Sequence, residues 1–193
     1  MDAQDLKQNS VVATFCHNIA GDLPIVVDDP GKELDLVYID DLIKEFVSIL
    51  ISDKSPEIIE PSFPVYSIKL GQLAEQIKSF RQSRINLTVG SVGSGLTRAL
   101  YATYLSYYKP SQFSYKLKQH NDDRGGFAEF LKTQDSGQIS FFTVNPGCTR
   151  GRHFHHTKNE KFLVVKGNAK FRFRNILTDE KYELDVSEDL LEV

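Results

Sequence analysis

Residues Gly147 to Gly167 read GCTRGRHFHHTKNEKFLVVKG. Three of the chain's five histidines, His153, His155 and His156, fall within four consecutive positions of this stretch. Glu160 follows at close range, and then the apolar β-type run Phe162-Leu163-Val164-Val165. Alternate side chains of an extended strand share a face, so His153 and His155 are expected on one side. A turn at Thr157-Lys158-Asn159 brings Glu160 back beside them on a returning strand. Two imidazoles and a carboxylate converging from one hairpin suit a divalent transition metal such as zinc, with positions open for water or substrate. A lone His-x-His is common on solvated strands and would carry no such reading by itself.

The complete spacing distinguishes this segment from that commonplace. Gly147, five residues, His153-x-His155, four residues, Glu160, six residues and Gly167 resembles the first sequence motif of the cupins at every fixed position. The flanking glycines suit tight turns at the ends of a hairpin, where positive φ is favoured. Within the cupins, TRGRHFHHTKNEKFLVVKG is similar to the C-terminal domain of bifunctional capsular-polysaccharide and O-antigen enzymes that process a UDP-4-keto-6-deoxy-HexNAc. In those enzymes a short-chain dehydrogenase/reductase domain precedes the cupin. The resemblance extends through DDRGGFAEFLKT (Asp122 to Thr133), LYATYLSYY (Leu100 to Tyr108) and NSVVATFCHNIAGDLPI (Asn9 to Ile25).

The resemblance implies an α+β chain: the C-terminal part of an extended short-chain dehydrogenase domain over 1–88, a linker helix over 89–112, and the N-terminal portion of an incomplete β jelly-roll, the cupin, over 113–193. It implies a cupin that epimerises carbon-3 and a reductase that reduces carbon-4 of the keto-sugar. The metal would be held by His153, His155 and Glu160, with His156 and Lys161 as further candidates for base or substrate contact. Glu129 would be an acidic partner in a DxRG-F-xE signature beginning at Asp122; a charged turn explains the same residues. The implied partners are a UDP-linked keto-sugar and further copies of the chain in a homo-oligomer. NADPH is implied for the full-length family only. This chain has no Tyr-x-x-x-Lys pair, and a cupin's second motif would lie beyond Leu191-Glu192-Val193. The chain is therefore expected to be a fragment truncated at both ends. The alternative is a non-catalytic metal- or sugar-binding cupin, or a dimerisation remnant.

Composition restricts the other function classes. The chain has 193 residues, 40% hydrophobic and 25% charged, which is ordinary for a globular protein. A net charge of -3 argues against a dedicated nucleic-acid binder, which carries a basic face. No apolar run approaches the roughly 20 residues of a membrane span, and MDAQDLKQNS lacks the pattern of a secretory leader. Cys16 and Cys148 stand in unrelated contexts, so no disulfide framework is expected and a cytoplasmic location fits. Cys148 offers a soft ligand inside the motif's variable gap, although a small filler residue is the favoured reading.

Along the chain, Asn9-Ser10 caps a helix to about Ala20, with Val11, Val12, Phe15, Cys16 and Ile19 on its apolar face. Ile25-Val27 and Leu34-Ile39 read as strands, and Asp40-Asp41 opens a helix to about Ile51. VYIDDL (Val37 to Leu42) resembles a segment of extended short-chain dehydrogenases that leads into a helix of the substrate-binding subdomain. Ser52–Pro64 reads as a loop, Val65–Ile68 as a strand, and Leu70–Arg84 as an amphipathic helix with Leu73, Ile77 and Phe80 inward. Leu87-Val89, then Gly90, Gly93 and Gly95, then a helix over Leu96–Tyr108 mimic a dinucleotide site. The spacing is GxxGxG rather than GxGxxG, and no second parallel strand with a terminal acid is expected, so the linker reading is preferred. The tyrosines of that helix are expected to pack rather than to stack on bases. Strands are expected over Phe127–Leu131, Ile139–Val144, Lys161–Lys166, Ala169–Arg174 and Tyr182–Val186. The alternation Lys170-Phe171-Arg172-Phe173-Arg174 places cations on one face, where one could also meet a pyrophosphate.

Overall fold

The computed structural model describes residues 10–52, 62–135 and 137–189. The loop read over Ser52–Pro64 lies mostly outside them, as do the N-terminal segment read for a leader and the end at Leu191-Glu192-Val193. The chain forms two compact units, Met1–Thr149 and Arg150–Val193. Among the described residues no helix is long and apolar enough to cross a membrane.

The first unit is built on three helices, α1 (Val11–Ala20), α3 (Leu70–Asn86) and α4 (Gly95–Ser106). Ser10 caps α1 as its sequence predicts, the hydroxyl accepting from Ala13 N–H at 3.4 Å. Phe15, Cys16, Ile19 and Ala20 of α1 meet Leu73, Ala74, Ile77 and Phe80 of α3, and Leu100, Tyr104 and Tyr108 close the cluster. The inward face read for α3 is therefore correct, one residue wider than expected. The tyrosines pack as expected. Tyr104 is wholly buried, and its hydroxyl pairs with that of Tyr108 at 2.7 Å. The Arg84 guanidinium lies 4.1 Å from the Tyr108 ring centroid.

Two short strands, β1 (Glu33–Leu36) and β2 (Tyr66–Lys69), pair antiparallel. β2 runs directly into α3, whose first amides find acceptors in the 30–32 loop. Leu70 N–H donates to the Lys32 carbonyl and Gly71 N–H to that of Pro30. A Cβ at Gly71 would stand 3.0 Å from Pro30, so any larger residue would press on that loop. Between the strands, α2 (Ile39–Ile51) opens with Asp40 and Asp41 in its first turn, as the helix dipole favours. The expected strand at Ile25-Val27 does not form: these residues belong to no strand ladder. The strand read to Ile39 stops at Leu36, because Ile39 already begins α2.

The β part of this unit is a four-stranded sheet. β5 (Gly125–Thr133) sits between β4 (Gln119–Asp122) and β6 (Gln138–Phe142), and β3 (Thr88–Val89) joins its other end. Gly125 has φ +131, and a Cβ there would overlap the Thr143 carbonyl; only glycine makes this turn. Asp122 and Arg124 bridge at 2.6 Å across it, the charged-turn reading of that signature. β3 pairs with β5 in parallel, Thr88 opposite Lys132 and Val89 opposite Thr133. A parallel partner strand thus does follow the glycine loop, although it ends at Thr133 rather than at an acidic residue. The pairing spans two residues, however, and α4 packs on α1 and α3.

In the second unit, β7 (Asn168–Arg174) and β8 (Lys181–Ser187) form one antiparallel hairpin, Phe171 opposite Leu184. The strand expected over Lys161–Lys166 is absent. Its apolar, β-branched residues suit a strand, but a strand also needs a partner for its N–H and C=O groups. Phe162 instead meets the Phe171 ring at 5.6 Å. The cations of β7 are matched along β8 and its turn: Lys170 by Glu183 and Asp185, Arg172 by Glu183, Arg174 by Asp179. That satisfies the charge pattern without a pyrophosphate.

Candidate metal centre

The histidine segment lies in the second unit. It enters through two successive residues of positive φ, Gly151 (φ 105) and Arg152 (φ 64), and leaves through Gly167 (φ 86). Between them the chain forms no hydrogen-bonded ladder, and it bends at His156-Thr157. The expected strand-turn-strand hairpin is therefore a loop without strands that bends one position earlier than the sequence suggests. Its alternation survives. The His153 and His155 rings lie 5.0 Å apart edge-to-face, and the Phe154 and His156 rings form a second pair, also at 5.0 Å.

His153, His155 and Glu160 each direct one ligand atom into a common space, with all three atoms within 4.8 Å of one another. His155 Nε2 stands 3.6 Å from Glu160 Oε1. Tetrahedral coordination with bonds of about 2.1 Å puts ligand atoms roughly 3.4 Å apart, so this pair is already near the required separation. The third ligand closes by a side-chain adjustment. Two imidazoles and a carboxylate are donors that zinc and similar divalent ions take. The residues present fit such a group.

The carboxylate is held ready as an anion. The Lys158 ammonium donates to Glu160 Oε1 at 2.9 Å. That hydrogen bond, and then the charges of Lys158, His155 and His153, hold the Glu160 carboxyl below the usual carboxylate range. Lys158 is the residue that sequence reasoning missed, since it was read only as part of a turn. Its one signal was a cation two positions before the acidic ligand, which strand alternation would place on the same side.

Among the described residues, the converging set does not include the other candidates. His156 turns to Phe154, and Lys161 is exposed. Glu129 lies on β5 in the first unit, bridged to Lys132 at 2.6 Å. The Cys148 thiol is directed at the Asp123 carbonyl at 3.8 Å. Cys16 is buried in the helical core, and burial pushes its thiol up to about 12, which removes it as a thiolate ligand. Both cysteines are free.

Residues 120–193 match the family described as the polysaccharide biosynthesis C-terminal domain. Over 185 residues the chain is 52% identical to the UDP-2-acetamido-2,6-beta-L-arabino-hexul-4-ose reductase of Pseudomonas aeruginosa, covering 96% of this chain and 50% of that protein. A stretch of 71 residues is 30% identical to the spore coat polysaccharide biosynthesis protein SpsL of Bacillus subtilis, covering 34% of this chain and 47% of that one. Among solved structures, CapF with the inhibitor 3-isopropenyl-tropolone superposes with a TM-score of 0.90 at 44% identity, over 96% of this chain and 54% of that one. The capsular polysaccharide assembling protein CapF from Staphylococcus aureus superposes with a TM-score of 0.89 at 44% identity, over 96% and 51%. The chain spans about half the length of the curated relatives it matches. Over the matched residues it shares the mixed α and β fold of CapF and is related to proteins of polysaccharide assembly.

Proposed function

We propose that the Gly147–Gly167 segment is the metal-holding motif of a cupin that acts on a UDP-linked 4-keto-6-deoxy-HexNAc, and that its reaction is epimerisation at carbon-3, beside the keto group. The observation that carries this reading is the convergence of His153, His155 and Glu160 on one space, all ligand atoms within 4.8 Å. The Pseudomonas relative is named for a UDP-linked hexul-4-ose, which supports the substrate class. The CapF inhibitor is a tropolone; its adjacent carbonyl and hydroxyl oxygens form a bidentate donor of the kind divalent metals accept.

A divalent cation, zinc by its donor set, supplies Lewis acidity that lowers the cost of negative charge on a carbonyl oxygen. The chain's own residues do the remainder. His153 and His155 would present imidazole nitrogens, and Glu160 a carboxylate oxygen, to that ion. Removing the proton at carbon-3 needs a base, and His156 and Lys161 are the proposed candidates. Residues 1–88 are proposed as part of a reductase domain, whose NADPH-dependent step at carbon-4 belongs to the longer proteins of this kind. The working form is a cytoplasmic homo-oligomer in this reading.

A second reading, a cupin that binds metal or sugar nucleotide without turnover, is favoured by one feature: all three ligands are exposed, so nothing described excludes water. Metal analysis and solvent deuterium incorporation separate the two. Zinc titration of the full chain should give one site, abolished in His155→Ala and retained in His17→Ala and His120→Ala. Deuterium entering carbon-3 of the keto-sugar supports the epimerase; metal without exchange supports the binder. Equal stoichiometry in the parent and His155→Ala, or loss on changing His120, overturns the ligand assignment.

A further inference from the structure

Glu160 Oε1 faces two cationic claims at once. It is the oxygen nearest His155 Nε2, at 3.6 Å, and it is also the oxygen that accepts from Lys158 Nζ at 2.9 Å. Any cation bridging His155 Nε2 and this oxygen must enter the space that the ammonium borders. Lys158 itself sits in the loop between two ligands, two residues before Glu160, so it cannot leave the neighbourhood when it is displaced. We propose that Lys158 is a built-in competitor of the metal: its ammonium occupies the carboxylate of the metal-free site, must be displaced for a divalent cation to bind, and so sets the affinity of the site below what its three ligands would give. This inference rests on the metal reading above and concerns the regulation of that same site.

The physical argument is one of charge. In the metal-free state the ammonium and carboxylate neutralise one another. On binding, the carboxylate exchanges that partner for a divalent ion, and the displaced ammonium stays within a few side-chain bonds of it as a like charge. The pair is partly exposed, Lys158 at 55% and Glu160 at 29%, so solvent and salt moderate both effects. The opposite role, in which a lysine outside the coordination sphere steadies a ligand, is common around metals and predicts the opposite result on removal. The ammonium's placement on the ligand oxygen nearest His155, rather than on the far oxygen, favours competition.

The test is cobalt(II) titration of the full 193-residue chain, followed by its visible absorption and repeated with zinc by competition. Lys158→Met should bind both ions on the order of threefold to tenfold more tightly than the parent. Lys158→Arg, which keeps the charge, should stay near the parent, as should Lys166→Met outside the cluster. The gain in Lys158→Met should shrink as salt is raised. Unchanged or weaker binding in Lys158→Met, beside clear binding in the parent, overturns competition and leaves the metal site standing. Absence of cobalt absorption in both proteins overturns the metal site and the competition together.

Discussion

The Arg81 guanidinium meets the Asp22 carboxylate with both its forks, Nε to Oδ1 at 2.8 Å and a terminal nitrogen to Oδ2 at 2.9 Å. Asp22 lies just past the end of α1, in a left-handed conformation (φ 56), so the pair fastens that turn to α3. Hydrogen bonding to Arg81, opposed by partial desolvation and helped by its charge, holds the Asp22 carboxyl below its usual range. A depressed folded-state value means the contribution is present above the unfolded value, about 3.9, and lost as pH falls through the folded one. The pair is partly exposed, Arg81 at 33% and Asp22 at 65%, so about 0.5 kcal/mol is expected. Urea denaturation of Arg81→Met should show that deficit at pH 7, and it should narrow toward pH 2.5. A deficit that is the same at both values would assign the effect to the packed stem of Arg81 instead. This pair could not be read from the sequence, because 59 positions separate the partners. His153, His155 and Glu160 were legible there, because their spacing is local. Lys158 was not, since a spacing rule says which atoms can converge and not which ammonium reaches them first.

At the scale of elements, α2 is the helix whose surroundings its sequence least explains. Its start was legible from Asp40-Asp41 and its end was expected near Ile51. Yet none of its residues is buried, and Ile39, Ile43, Phe46, Val47, Leu50 and Ile51 are all exposed. Periodicity announces an apolar stripe without naming what covers it. The 161–166 run failed for a related reason: strand-forming residues were present, but a neighbouring ladder was not. An exposed stripe of this size promotes association. Replacing Phe46 and Leu50 together by lysine interrupts the stripe on successive turns without touching the α1–α3–α4 core. Sedimentation velocity should then show the chain shifted toward the monomer relative to the parent at equal concentration. An unchanged distribution would place the association elsewhere, for example at the edges of the four-stranded sheet.

The two units of the molecule differ in what holds each of them. The helices of the first were readable because their contacts follow from local amphipathic pattern, and their core is continuous from Phe15 to Tyr108. The strands were readable as segments, but their pairing is non-local, and the parallel contact of β3 with β5 was missed for that reason. In the second unit, Val186 is the only buried hydrophobic residue among those described, and one hairpin carries all the described ladder bonds. A lone two-stranded hairpin is marginal in water, and backbone outside any ladder opens at little cost. The segment from Arg150 to Lys166 should therefore be cut by trypsin well before Arg81, Arg84 and Arg98, which lie in helices. Added zinc should slow cleavage at Lys158 and Lys161, because ligands on both sides of the bend would then share one ion. Mass spectrometry of a time course reads both effects separately. Cleavage within α3 or α4 ahead of the histidine segment would contradict the stability contrast, whereas the same order of cuts with no zinc protection would count against the metal alone.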